Sequence, residues 1–205
     1  SVVQDKVVLI TGGAGSIGSV ILELCLNQSV KKIICIDNSE YNTYSLQQKF
    51  DSIKLVCETA DIKDIKMMDF YFNKYRPDIV FHAAALKHVN LQENDIRNAL
   101  LTNFFGTDNI LKMVKKYEPE NFVLISTDKA VEPSTNMSPI SILSIVLLLP
   151  VFNQTCVCFE KQAGGEGGAP VCRSNISFIN IWILIVGISN NIKVTVPAIA
   201  NGIPN

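Results

Sequence analysis

Three segments carry residue types at spacings that can do chemistry. The first, Thr11-Gly-Gly-Ala-Gly-Ser-Ile-Gly18, is a glycine-rich turn leading into an apolar run. Glycine permits a tight turn and lets backbone N–H groups approach a diphosphate, and a helix start adds favourable partial charge. Gly12, Gly15, Ser16, Ile17 and Gly18 are therefore candidates for gripping a dinucleotide. The second segment, Asp37-Asn38, begins nineteen residues past Gly18. A carboxylate there can accept from both hydroxyls of a ribose and repels a 2′-phosphate, which favours NAD over NADP. The third is Ser126-Thr-Asp-Lys129. Its residue types fit an acid–base pair, and equally a polar loop with a solvated ion pair.

Other positions are open to two readings. Asp61-Ile62 can hold an adenine edge, or Asp61 can cap a helix. Ala83-Ala84-Ala85 can let a cofactor pass close to the backbone, or form a plain strand-to-helix turn. Asn103 lies on an apolar helical face, where its amide must find partners. It either braces the strand ends of an active site or bonds a neighbouring loop. His82 reads as a satisfied structural residue rather than a catalyst, and His88 as part of an exposed loop. Cys156-x-Cys158 with Cys172 lacks a fourth cysteine or a nearby histidine, so no metal site is expected. Cys25, Cys35 and Cys57 read as buried free thiols of a reduced, cytoplasmic protein. No secretory leader is read at the start.

The elements that must position these residues alternate. Lys6–Ile10, Lys32–Ile36, Ile53–Cys57, Asp78–His82 and Phe122–Ser126 are short β-branched runs and predict strands. Between them, a helix opens at Ser16 with Ile17, Val20, Ile21 and Leu24 on one face. A weaker helix covers Tyr41–Phe50, another Asp64–Tyr75 with Ile65, Met68, Phe72 and Tyr75 inward. A long helix runs over Asp95–Tyr117, with Ile96, Ala99, Leu100, Asn103, Thr107, Ile110 and Val114 inward. Such alternation gives an α/β, Rossmann-type doubly wound parallel sheet, with ligands at the carboxyl ends of the strands.

Composition divides the chain at residue 137. The whole carries 18 Lys+Arg and 19 Asp+Glu, and only Glu160, Lys161, Glu166, Arg173 and Lys193 fall after that point. Residues 1–137 read as an NAD(P)-binding domain, and 138–205 as an atypical apolar tail with no recognisable substrate domain. The tail's apolar runs are buried elements, membrane segments, or sequence that is not the natural continuation of the domain. Ser138–Phe159 reaches a spanning length only by including Pro150, Asn153 and Gln154. The formal net charge of -1 gives no footprint for nucleic acid.

Five strings together resemble a known group: Thr11–Gly18, Asp37-Asn-Ser-Glu-Tyr41, Asp78-Ile-Val-Phe-His-Ala-Ala-Ala-Leu-Lys-His-Val89, Thr102-Asn103 with Gly106-Thr107, and Phe122-Val-Leu-Ile-Ser-Thr-Asp-Lys-Ala130. They are similar to the extended short-chain dehydrogenase/reductase superfamily, and most to its polysaccharide-biosynthesis branch of UDP-N-acetylglucosamine 4,6-dehydratases, the CapD-like proteins. The resemblance covers residues 6–137. It implies bound NAD, a UDP-N-acetylglucosamine substrate and a 4-keto-6-deoxy product. The hydride leaves C4 of the hexose, water is lost across C5 and C6, and the hydride returns at C6. By resemblance Asp128 is the acid, Lys129 the base, and Thr127 the hydrogen-bond partner of the 4-oxygen. Met137 matches a Met/Tyr position of the branch. The lysine expected four residues later is replaced by Ser141, which leaves activity of this chain in question. An epimerase of the same fold and a non-catalytic NAD-binding module are the alternatives. A homo-oligomer and a place at the cytoplasmic face of a membrane are compatible with this reading.

Overall fold

The computed structural model describes residues 1–86 and 96–125, and the backbone of 126–127, 156–159 and 180–186. Its strands are β1 (Val7–Thr11), β2 (Lys32–Asp37), β3 (Leu55–Thr59), β4 (Ile79–His82), β5 (Asn121–Thr127), β6 (Cys156–Phe159) and β7 (Asn180–Val186). Among the described residues they form one sheet in the order β3-β2-β1-β4-β5-β7-β6. Every neighbouring pair is parallel. The chain winds outward from β1 through β2 to β3, then returns to β4 on the other side. The strand order reverses between β1 and β4, where a doubly wound sheet opens a crevice.

Strands β1, β2 and β4 are buried on both faces, which is why they are continuous apolar runs rather than alternating ones. Val8 and Ile10 of β1, Ile33 and Cys35 of β2, and Ile79 and Phe81 of β4 face one core. Leu9, Ile34, Ile36 and Val80 face the other. The first core is closed by helices α1 (Ser16–Leu26) and α2 (Glu40–Lys49), through Ile21, Leu22, Cys25 and Leu46. The second is closed by α3 (Ile65–Tyr75) and α5 (Thr107–Tyr117), through Met68, Phe72, Ile110 and Val114. Asp69 ties these two helices together, accepting from Lys116 Nζ at 2.6 Å and Tyr117 Oη at 2.7 Å.

Several elements depart from the sequence expectation. The buried stripe of α1 is Gly18, Ile21, Leu22 and Cys25, one position on from the expected Ile17, Val20, Ile21 and Leu24. The glycine turn sets that rotation, because Gly18 must face it. Strand β3 begins two residues late. Ile53 is 99% exposed, while the sheet edge accepts Glu58 and Thr59 at the strand end. Ile65 and Ile96 are also exposed, at 39% and 46%. The long helix is not uniform. It is α4 (Ile96–Ala99), a π-helical stretch π1 (Leu100–Gly106), then α5. Cys25 and Cys35 are buried free thiols, as expected, but Cys57 is only half-buried.

In the apolar tail, Cys156–Phe159 and Asn180–Val186 are strands, and β7 pairs with β5 from Asn121↔Asn180 to Thr127↔Val186. The sheet therefore continues past residue 137. No helix among the described residues is long and apolar enough to cross a membrane.

Helices α3 and α5 both end on a residue in the left-handed region, Arg76 (φ 45°) and Glu118 (φ 48°), each donating its N–H back into the helix. A side chain in that region costs free energy that glycine does not. Glu118→Gly is therefore expected to stabilise the protein by about 0.5 kcal/mol. A small rise in melting temperature checks this; an unchanged or lower value contradicts it.

Candidate dinucleotide-binding site

The crevice predicted at the switch point is a cleft above β1, β2 and β4. It is lined by Gly12, Gly15, Ile36, Asp37, Asn38, Ser39, Asn42, Ala60, Asp61, Ile62, Ala83, Ala84, Ala85, Leu86 and Thr102. The glycine turn forms its floor. Gly12 takes φ +67°, and a Cβ there would lie 2.6 Å from the Ala84 backbone. Its N–H donates to Ile36 O at 2.7 Å, and Ala83 N–H donates to Thr11 O at 3.0 Å. The turn is thus stitched to the tips of both neighbouring strands. Residue 12 must be glycine because the backbone of Ala83 and Ala84 passes against it.

Gly15 is the N-cap of α1, and no side chain caps the helix. The helical ladder opens with Ser19 N donating to Gly15 O at 3.0 Å, so the Ile17 and Gly18 N–H groups precede it. The first turn of α1 carries no acidic side chain. Helix starts of this kind accept anions. Gly18 itself packs backward: a Cβ there would sit 2.1 Å from Gly12 O and 2.7 Å from Gly13 Cα. Gly13 rests on Cys35, whose Sγ would be 2.5 Å from an added Cβ. Cys35 also donates across the strand pair to Cys57, and this bond with burial holds the Cys35 thiol protonated.

Asp37 ends β2 beside this turn. One carboxylate oxygen accepts from Ala14 N at 3.1 Å and the other from Ser39 N at 3.0 Å. Ser39 then caps α2, its hydroxyl accepting from Asn42 N at 3.3 Å. Across the cleft, Asp61 Oδ1 accepts from Lys63 N at 2.9 Å, and Asp64 rather than Asp61 caps α3.

A buried hydrogen-bonded chain links the strand ends behind the cleft. His82 is 1% exposed. Its Nδ1 lies 2.6 Å from Thr11 Oγ1 and its Nε2 lies 2.9 Å from Thr107 Oγ1. The single Thr107 hydroxyl proton goes to Asn103 O at 2.7 Å. Thr107 must therefore accept from Nε2–H, and Nδ1 accepts from Thr11. Burial holds the imidazole neutral, with its pKa lowered to about 4. Asn103 completes the chain: its Oδ1 accepts from Leu86 N at 2.8 Å and its Nδ2 donates to Leu86 O at 3.1 Å. Its amide thus holds the segment that follows β4.

The cleft brings together Gly12, Gly15, Asp37, Asn38, Asp61, Ile62 and the three alanines, all named from sequence. Ser16, Ile17 and Gly18 stand in the first turn of α1 and do not line it, nor does Asn103. Thr127 ends β5, and only its backbone is described; Asp128, Lys129, Met137, Ser141 and His88 lie outside the described residues. Sequence reading missed Ser39, Asn42 and Thr102 as lining residues. The capping pair Ser39 and Asn42, directly after Asp37, was a usable signal. Thr102 is buried three residues after the inward Ala99, so helical spacing was a signal for it too. Among the described residues no cluster could hold a metal ion.

A glycine cradle with no room for Cβ atoms, an uncapped helix start and a carboxylate at the second strand tip suit a dinucleotide. The fold and this cleft define a Rossmann-type protein of the extended short-chain dehydrogenase/reductase superfamily. The chain belongs to the polysaccharide biosynthesis protein family, whose profile matches residues 8–155, within the nucleotide-sugar epimerases and dehydratases. It is 38% identical over 138 residues to the capsular polysaccharide biosynthesis protein CapD of Staphylococcus aureus, covering 65% of this chain and 23% of that protein. It is 34% identical over 137 residues to UDP-glucose 4-epimerase of Rickettsia massiliae, covering 65% of this chain and 40% of that one. The crystal structure of the Bordetella bronchiseptica enzyme WbmH in complex with NAD+ matches with a TM-score of 0.62 at 25% identity, over 71% of this chain and 53% of that chain. The chain spans less than half the length of these two curated relatives.

Proposed function

We propose that residues 1–137 form the NAD-binding part of a nucleotide-sugar 4,6-dehydratase acting on UDP-N-acetylglucosamine. The observation that carries the reading is the Asp37 carboxylate at the β2 tip, hydrogen-bonded to the glycine turn and lining the same cleft as Gly12 and Gly15. Gly12, Gly15 and the first turn of α1 hold the diphosphate. Asp37 accepts from the adenosine ribose hydroxyls and excludes a 2′-phosphate. Asp61 and Ile62 meet the adenine edge. When bound, NAD supplies a reversible hydride acceptor. Thr127 orients the sugar 4-oxygen, Lys129 takes the C5 proton, and Asp128 gives a proton to the departing 6-hydroxyl. These three roles rest on the family resemblance.

Epimerisation at C4 is the second reading, favoured by the identity to a UDP-glucose 4-epimerase. It has no use for the Asp128–Lys129 pair. Incubation with UDP-N-acetylglucosamine and NAD+ separates the two: a 4-keto-6-deoxy product supports dehydration, and a C4 epimer without it supports the alternative. Turnover is expected to be low because Ser141 stands where the branch has lysine. Asp37→Ala is expected to weaken NAD+ about 30-fold by fluorescence titration, through loss of charge-assisted bonds to the ribose. Unchanged affinity removes the basis of the proposal.

A further inference from the structure

The Asp61–Lys63 loop is built from outside the cleft as well as from within it. Asp61 O accepts from Asp64 N at 3.0 Å, and the Asp61 carboxylate meets Lys63 N at 2.9 Å and Lys63 Nζ at 3.3 Å. The next two carbonyls point away from the cleft to a single side chain. Asn109 Nδ2, in the first turn of α5, donates to Ile62 O at 3.1 Å and to Lys63 O at 3.0 Å. Both hydrogens of that amide are used on consecutive carbonyls, which fixes both peptide planes. Three residues earlier on the same helix face, Gly106 leaves a notch for the Ile62 side chain, which is 4% exposed. A Cβ on Gly106 would lie 2.6 Å from Ile62 Cδ1. With the carbonyls of Asp61, Ile62 and Lys63 all engaged, the Ile62 N–H makes no hydrogen bond among the described residues.

We propose that Asn109, working with the Gly106 notch, determines base specificity by holding the Asp61 carboxylate and the Ile62 N–H in register with the 6-amino edge of adenine. This rests on the reading of the cleft as an NAD site and adds to it a positioning residue that never touches the nucleotide. Adenine offers a 6-amino donor beside an N1 acceptor, which matches a carboxylate beside an N–H. Hypoxanthine reverses both: a 6-oxo acceptor beside an N1–H donor. A loop held in register must reject it, because a mismatched pair leaves polar groups unpaired. A loop free to shift by an ångström loses that discrimination.

The test measures Kd for NAD+ and for nicotinamide hypoxanthine dinucleotide by calorimetry, on the wild-type chain and on Asn109→Ala, Asn109→Asp and Asn109→Gln, with melting temperatures taken alongside. The wild type is expected to prefer NAD+ by about tenfold or more. Asn109→Ala and Asn109→Asp are expected to bring the ratio below about threefold, mainly by weakening NAD+. Asn109→Gln, which keeps both donors, is expected to restore part of it. A merely structural loss would weaken both dinucleotides equally and leave the ratio intact. If Asn109→Ala does not fold, the isosteric Asn109→Asp gives the same reading. Wild-type discrimination that persists in the variants overturns the role of Asn109 and leaves the NAD site standing. A wild type that binds both equally overturns the adenine contact, and one that binds neither overturns the cofactor reading itself.

Discussion

Gly18→Ala is expected to unseat the glycine turn, lowering stability by about 3 kcal/mol and NAD+ affinity at least about a hundredfold. The added methyl would stand 2.1 Å from Gly12 O and 2.7 Å from Gly13 Cα. Both are backbone atoms, so no side-chain rotation relieves the contact. Helix α1 must move off the turn, and its buried stripe of Ile21, Leu22 and Cys25 moves with it. Gly15→Ala is the informative control, since its methyl would come no closer than 3.2 Å to Gly12 O. It is expected to fold normally and to lose affinity only through crowding of the diphosphate. Thermal melts and NAD+ titration of the two variants check this. A Gly18→Ala protein that melts with the wild type contradicts the packing described.

His82 makes stability fall as the solution is acidified. Unfolded, the imidazole has its ordinary pKa near 6.5; folded, burial lowers it to about 4. Between those values the unfolded chain binds a proton that the folded chain refuses. The contribution is therefore fully present above pH 6.5 and is lost as pH falls towards 4. Over that window it amounts to about 3 kcal/mol. The structural reason is the direction of the hydrogen-bonded chain. Nδ1 must stay an acceptor for Thr11, and a protonated ring would face that hydroxyl with a second donor. His82→Gln is expected to lower stability at pH 7 and to flatten the decline between pH 6.5 and 4. Denaturant unfolding at several pH values decides it, and equal slopes in the two proteins would refute the claim.

The turn at Gly12 and the strands around it were legible because their constraints are local. A short apolar run, a glycine cluster and a carboxylate one strand later admit few arrangements. Burial on both faces also made β1, β2 and β4 easy to read. Elsewhere tertiary contacts decided. The face of α1 follows the close approach of Gly18 to the turn, which no helical periodicity encodes. Ile53 suggested a strand start, yet it lies exposed in the turn that precedes β3. Thr102 lines the cleft three residues after the inward Ala99, a position the helical spacing allowed but did not single out over Asn103. The structural role of Asn109 was invisible, because its acceptors lie 46 and 47 residues away. The acid and base roles proposed for Asp128 and Lys129 rest only on resemblance, since two adjacent charges carry no geometric signature of their own.

Asp37 serves two masters, the loop amide of Ala14 and the N-terminus of α2. Redesign of cofactor preference at this position is thereby constrained. Exchanging the acid for a small neutral residue to admit a phosphorylated ribose would also strip the turn of its anchor. A successful switch needs a compensating acceptor for the Ala14 amide, and asparagine or serine together with a nearby arginine is a better starting point than alanine.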